Sequence, residues 1–432
     1  MPRTLEAMDA TDESSPACTA NEALRLAAEF SPLTGEQVED PYAFYARARA
    51  EEPVFFSPKF QMWFVTRYDD IDTILSDPAT FSSKGTIPPY PEFSLAVRAA
   101  LDGYRPPQNL INMDPPEHTS LRRLVQQAFS PRRVAGLADM VREIAAGLVA
   151  DFADAGHADL ISQLAYPLPL TVIFRVLGVP PQDIAACQRW TADLKALQFG
   201  HSGLPEERQV ECAGSVLAFQ RYLEELAANW TPGDREGILG DLREANDEDG
   251  ASSLSISQVA DQMNALVIGG HETLASGLGN ILQLLLSAPE RWRRVCEDPG
   301  LIEAAVEEGL RYEAPVNGMI RIATRAVTLS GVHVPAQARL LLLFGSANRD
   351  ETRFPQADQF ALDRAGQPPH LAFGRGVHYC VGAPLGRLEA RIALEVLGRQ
   401  LPGLRLEPGA AVEHVPNLMF RGVARLPVVW DA

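Results

Sequence analysis

Paired cysteines are missing from this chain. Its five cysteines, Cys18, Cys187, Cys212, Cys296 and Cys380, are scattered through 432 residues with no two at metal-clip spacing. That excludes a disulfide framework and suits a reducing, cytoplasmic setting. Long apolar runs are missing as well. The most apolar region, Gln262 to Pro289, is interrupted by Glu272 and several polar residues, short of the ~20 unbroken apolar residues that a bilayer span requires. The first residues, "MPRTLEAMDATDESSPAC", are polar and acidic and read as neither a secretory signal nor an anchor. Basic residues are in deficit, 38 Lys and Arg against 56 Asp and Glu, for a formal net charge of -18. The acids are spread along the chain, which argues against nucleic acid or an anionic membrane as a partner. Internal repeats and low-complexity linkers are also absent.

What is there is apolar content of 46%, enough for a sizeable core. Residues 1–30 read as a flexible arm and residues 31–432 as one large domain. Short β-rich runs occur at "PVFFS" and "MWFVTR", followed by the helix-like "YDDIDTILSDP". The stretch Lys84 to Asn112 is rich in Pro, Tyr and Gly and weak in periodicity, the mark of a functional lid or binding loop. Helical patterns then run to about Tyr312. Leu137, Met140, Val141, Ile144, Leu148 and Phe152 form one apolar stripe at steps of three and four, and the longest pattern spans Ser255 to Ser287. From Ile320, "IRIATRAVTLSGVHVP" and "ARLLLLFGS" read as strands; a last helix follows Gly382, and "RLPVVW" closes as a strand. The expected class is mainly α with small β-sheets, built round a long central helix.

One cysteine has unusual company. "FGRGVHYCVG", Phe373 to Gly382, surrounds Cys380 with three glycines and a histidine. An isolated thiolate is a strong soft ligand, and a haem iron takes a single axial donor of that kind. Glycines at 374, 376 and 382 let the backbone turn tightly and approach a flat macrocycle. Backbone N–H groups and the start of a helix near Pro384 then favour thiolate over thiol. The pattern F-G-x-G-x-H-x-C-x-G resembles the haem-binding loop of the cytochrome P450 family.

Three further stretches occur in the order which that resemblance implies. "VIGGHETLAS" puts two glycines and a threonine inside the longest helical pattern, each Gly costing ~1 kcal/mol relative to Ala, and the Thr273 hydroxyl can bond the carbonyl of Gly269. The reading is a local opening of the helix. By the resemblance, Glu272 is the acid of a proton relay and Thr273 its partnering hydroxyl. "EEGLRYEAP" holds Glu308 and Arg311 at i, i+3, an ordinary pair in isolation; the resemblance makes it a buried structural pair. "MDPPEHTSLRRLV" brings His118 and Arg122 to one helix face. The resemblance matches both, with Arg321 and His378, to groups that hold the two haem propionates, and Phe373, Gly374 and Gly382 to the cofactor cradle.

The similarity runs from about Pro41 to the C-terminus and includes "SANRDETRFPQADQFALDR". It departs at Arg375, at Gly386, where alanine is usual, and at Gly309, where a larger apolar residue is usual. It implies a haem b monooxygenase that inserts one oxygen atom from O2 into an organic substrate by hydroxylation or epoxidation. About fifty residues follow Cys380, too few for a reductase domain there, so a separate ferredoxin and ferredoxin reductase are the expected electron donors. Arg123, Arg375 and Arg391 are candidates for a basic docking face. Ala265, Ile268, Gly269, Asn317, Met319 and Met419 are the residues expected to face the substrate. The substrate is a small molecule, free or carrier-bound. Tailoring of a bacterial natural product is the leading reading, with catabolism of a small aromatic or terpenoid compound as the alternative. A peroxide-using relative or a non-catalytic haem scaffold would be expected to lose Glu272 and Thr273 or Cys380, and this chain keeps all three.

Overall fold

The longest helix runs from Ile256 to Leu286, about 46 Å at 1.5 Å per residue. Its start is written in the sequence. The Ser255 hydroxyl accepts the Gln258 N–H at 3.2 Å and the Gln258 side-chain oxygen accepts the Ser255 N–H at 3.0 Å, a reciprocal cap. It ends just ahead of Pro289, which opens the next helix, Pro289–Glu297. The computed structural model describes residues 25–87, 92–199, 203–231, 238–244, 254–364 and 368–431. Against this central helix pack Pro167–Val176, Glu206–Asn229, Ile302–Tyr312 and Ala383–Gln400. Val259, Met263, Val267, Ile281, Leu282 and Leu285 are fully buried in the largest core cluster, so the helix is apolar nearly all round, as a core helix must be.

A five-stranded sheet stands beside the helices in the order Val54–Ser57, Met62–Val65, Arg339–Leu343, Gly318–Ala323, Phe81–Ser82. Only the Met62–Val65 to Arg339–Leu343 pairing is parallel. Side chains alternate across a strand, so Gly318–Ala323 sends Met319 and Arg321 to one face, while Ile320 joins an apolar cluster on the other. The closing strand, Pro427–Val429, pairs with His157–Asp159 and Arg405–Leu406.

Three sequence expectations need correction. The arm ends earlier than residue 30. Arg25–Glu29 is helical, Leu26 and Phe30 are buried, and Phe30 packs on Phe44, Phe55 and Phe64. Residues 1–24 lie outside the described residues. The Lys84–Asn112 stretch is not wholly loop, since Leu95–Ala100 is a helix whose N-cap Ser94 accepts the Val97 N–H. In the helix Ala138–Ala150 the deepest face is Val141, Ala145 and Val149, one side of the expected stripe; Leu137, Met140, Ile144 and Leu148 are only half-buried.

Candidate active site

Cys380 follows a tight turn, Gly376–His378. Gly374 and Gly376 both have φ of +67°, a conformation that a side chain disfavours, and a Cβ on Gly376 would strike the carbonyl of Leu75. The Cys380 N–H donates to the Phe373 carbonyl at 2.9 Å, which aims the side chain away from its own loop. The helix Ala383–Gln400 begins three residues later with Pro384 in its first turn. The sulfur opens onto a cavity of ≈ 340 Å³. Burial pushes the thiol up, while the N–H groups of Gly382 and Ala383 and the cations of Arg122 and Arg387 pull it back toward thiolate. Arg387 is fixed by Glu307 through two bonds of 2.6 and 2.8 Å and lies over the Phe373 ring at 4.4 Å.

On another wall of that cavity runs the central helix. It stays continuous through Gly269–Thr273, so the expected opening is not a break. The room comes from missing side chains, with nothing within 4 Å of where a Gly269 Cβ would lie. Thr273 donates its hydroxyl to the Gly269 carbonyl at 2.6 Å. Glu272 lines the cavity and is ion-paired with Lys195 from the helix Ile184–Phe199.

A third wall is basic. His118 is fully buried, neither ring nitrogen has a partner among the described residues, and its ring lies 4.1 Å from that of His378. His378 Nε2 reaches the Ser83 hydroxyl at 2.9 Å. Arg122 donates to the Tyr379 carbonyl. Arg321, buried, donates to the Ile320 carbonyl at 2.8 Å. Burial and the neighbouring arginines push His118 down to about 4, and burial, Arg321, His118 and Arg122 push His378 down to about 3. Burial also lowers Arg321 to about 10. Asp114 pulls the other way, yet its carboxylate already accepts from the Ser82 hydroxyl and the Ser83 N–H. Four basic groups crowded together with orphaned donors are what a dianionic ligand edge would satisfy. The residues present therefore fit a haem, with its propionates at this wall and its iron at Cys380.

Of the expected substrate-facing residues, Ala265, Ile268, Gly269, Met319 and Met419 line the cavity. Asn317 does not. It is buried, its side-chain amide donates to the Tyr45 hydroxyl at 2.9 Å, and its backbone N–H holds the Met419 carbonyl at 2.8 Å. Asn317 just precedes the strand Gly318–Ala323, and its side chain turns into the packing beneath the sheet. Arg321, Phe373, Gly374, His378 and Gly382 line the cavity; His118 and Arg122 do not. The Glu308–Arg311 pair is bidentate at 2.7 and 2.8 Å and buried. Arg311 also bonds the carbonyls of Asn348, Ala357 and Gln359, and Glu308 accepts from Ala361 and Arg364. Arg375 is paired with Asp72 at 2.6 Å and Arg391 with Glu395 at 3.8 Å, while Arg123 is exposed.

Sequence reasoning passed over Lys195, Gln262 and Glu389. Gln262 sits one turn before Ala265 on the same helix face and lines the cavity. Glu389 falls at helical spacing with the apolar Leu385, Ile392 and Val396, a visible signal of an acid in a core stripe. It is buried and its Oε2 has no partner among the described residues.

Comparison with known proteins points one way. The sequence model of the Cytochrome P450 family matches residues 300–401. Over 403 residues the chain is 39% identical to the cytochrome P450 monooxygenase PikC of Streptomyces venezuelae, covering 90% of this chain and 91% of that protein. It is 34% identical to the erythromycin C-12 hydroxylase of Saccharopolyspora erythraea, over 88% and 92% of the two chains. Among solved structures, cytochrome P450 CREJ in complex with (4-ethylphenyl) dihydrogen phosphate matches with a TM-score of 0.84 at 32% identity, covering 94% of this chain and 100% of that one. An intact type IV self-sufficient cytochrome P450 monooxygenase matches with a TM-score of 0.87 at 35% identity; 94% of this chain aligns to 53% of that longer one.

Proposed function

The chain belongs to the cytochrome P450 family, and from that premise we propose that Cys380 is the axial ligand of its haem b and that Glu272 and Thr273 are its proton-handling pair. The protein is a haem-thiolate monooxygenase. The observation that carries the assignment is the convergence on one cavity of a lone cysteine, the basic Arg321 and His378 and an acid–hydroxyl pair. When bound, haem b supplies the oxygen chemistry by which one atom of O2 enters a substrate C–H or C=C bond.

The chain's own residues do the rest. Cys380 would donate its sulfur to the iron; the N–H groups of Gly382 and Ala383 favour its thiolate form against the burial that pushes the thiol up. Arg321, His378, His118 and Arg122 would hold the two propionates. Glu272 straddles the outside and the cavity, so its carboxyl can take a proton on the Lys195 side and release it on the Thr273 side. The Thr273 hydroxyl, anchored to the Gly269 carbonyl, holds its oxygen lone pairs toward the open space beside Gly269. The apolar walls exclude bulk water. Glu308 and Arg311 keep the helix Ile302–Tyr312 locked to the loop before the cysteine.

The substrate we propose is a bacterial natural product that this enzyme tailors. The support is the company it keeps: two relatives named above are PikC and an erythromycin hydroxylase. A separate ferredoxin and its reductase are the proposed electron donors, docking over the Cys380 loop near Arg123. The test is spectroscopic. The ferrous protein under carbon monoxide should show the absorption band of thiolate-ligated haem in the wild type and lose that band in C380A. Titration of the ferric protein with macrolides, cyclic peptides and small phenols should then move one class to high spin. A wild type without the thiolate band would overturn the reading.

A further inference from the structure

Most polar side chains that line the cavity are already committed. The Thr86 hydroxyl donates to the carbonyls of Ser83 and Ile320 at 2.8 and 3.0 Å. Thr273 donates to Gly269, Glu272 is paired with Lys195, and Arg321 and His378 belong to the basic wall. Gln262 is different. It is 2% exposed, and its Nε2 donates to the Gln108 carbonyl at 2.8 Å. A peptide carbonyl only accepts, so the NH2 end of the amide must face Gln108. The acceptor end, Oε1, is then turned the other way, and among the described residues no donor reaches it.

That amide is also rigidly mounted. The neighbouring residue, Asp261, accepts Arg105 through two bonds of 2.7 and 2.8 Å and the Gln108 N–H at 3.0 Å. The Arg105 N–H in turn donates to the Gln220 side chain at 3.1 Å. Both backbone groups of Gln108 are thus bonded by two consecutive residues of the central helix, and the loop that carries Leu110 and Ile111 to the cavity wall is clamped to the same turn. A fixed acceptor in an apolar wall needs no reorganisation to bind a donor, and it loses its solvation without return when the ligand has none.

We propose that Gln262 Oε1 is the substrate-orienting acceptor of this enzyme, selecting elongated, largely apolar ligands that carry a hydroxyl or N–H donor at the end remote from the oxidised carbon. The distance follows from the helix: Gln262 precedes Gly269, beside which the open space lies, by seven residues, about 10 Å along the axis. The ligand therefore spans several rings or a comparable chain. This rests on the haem-thiolate reading above, which sets where the oxidised carbon lies.

The test uses the haem-loaded protein and needs no known substrate. The probes are 1-(ω-hydroxyalkyl)imidazoles of increasing tether length and their methyl ethers. The imidazole anchors one end at the iron and reports binding by a red shift of the main haem band. Over one band of tether lengths the alcohol should bind about ten-fold more tightly than its ether, and Q262M should level the two, with the ether binding at least as tightly as it does to the wild type. The wild-type alcohol-to-ether ratio decides the matter even where the variant does not fold. No preference at any tether length, or a preference that survives Q262M, overturns the assignment. If no probe shifts the spectrum, the haem-thiolate reading falls first and takes this one with it.

Discussion

Lys195 closes an ion pair on Glu272 at the boundary between solvent and cavity, with 49% and 34% of the two side chains exposed. Exposed pairs are worth roughly 0–1 kcal/mol, so this one sets where the carboxylate points far more than how stable the fold is. E272Q should fold normally and lower product formation about 10²-fold or more, the scale of a lost general acid. K195M should fold equally well and cost far less than that in product. Product formed per electron pair consumed, with denaturant midpoints alongside, checks both.

Arg321 predicts opposite effects with and without haem. Its charge is buried at the basic wall, opposed only in part by an Asp114 already engaged with Ser82 and Ser83, and an incompletely compensated buried charge destabilises its surroundings. R321M should therefore stabilise the haem-free chain by roughly 1–3 kcal/mol and speed haem loss from the loaded one. Urea unfolding of the apoprotein and transfer of haem to apomyoglobin measure the two signs separately.

Why some of this was legible from sequence, and some was not, is itself physical. The Cys380 loop could be read because its chemistry is local: turns with φ of +67° need glycine at 374 and 376, and that need appears as letters. The long central helix announced itself by its apolar pattern from Ser255 to Ser287, while its Ser255–Gln258 cap was seen only in the structure. Glu308 and Arg311 were visible as a pair, but their burial depends on carbonyls of Asn348, Ala357 and Gln359, which no spacing reveals. Asn317 was misjudged for the reverse reason. Its place just before a strand fixes its neighbourhood, but only the tertiary contact with Tyr45 decides which way the amide turns. Lys195 and Glu272 are far apart in sequence, so nothing short of the fold could join them.

Glu389 should make stability depend on pH. Burial alone holds its carboxyl well above the usual carboxylate range, and its Oε2 has no partner among the described residues. The folded chain therefore keeps this proton longer than the unfolded chain does. The stability it contributes is complete below the ordinary value of 4.5 and falls as pH rises from there toward the raised folded value. E389Q keeps the shape without the titration. It should be more stable than the wild type at pH 8 and should flatten the decline between pH 5 and 8, read from denaturant midpoints across that range. A wild type whose stability rises over that interval, with E389Q following it in parallel, would show that Glu389 is not its source.

Two glycines in helices invite the same substitution and should answer it differently. An alanine Cβ at Gly386 would meet nothing closer than Leu274 Cδ1 at 3.9 Å, an ordinary contact. Removing backbone freedom from the unfolded chain should then stabilise G386A by about 0.5–1 kcal/mol. At Gly309 the same Cβ would lie 2.5 Å from Ile281 Cγ1 and 3.5 Å from Ile281 Cα. Ile281 is fully buried on the central helix, so it cannot swing aside without moving the helix that carries Glu272 and Thr273. G309A should lose about 1–3 kcal/mol to overpacking, more than the alanine gains in helix propensity. Denaturant midpoints of the two variants should therefore move in opposite directions. Equal shifts of one sign would mean that the spacing between Ile302–Tyr312 and the central helix is looser than the contact at Ile281 requires.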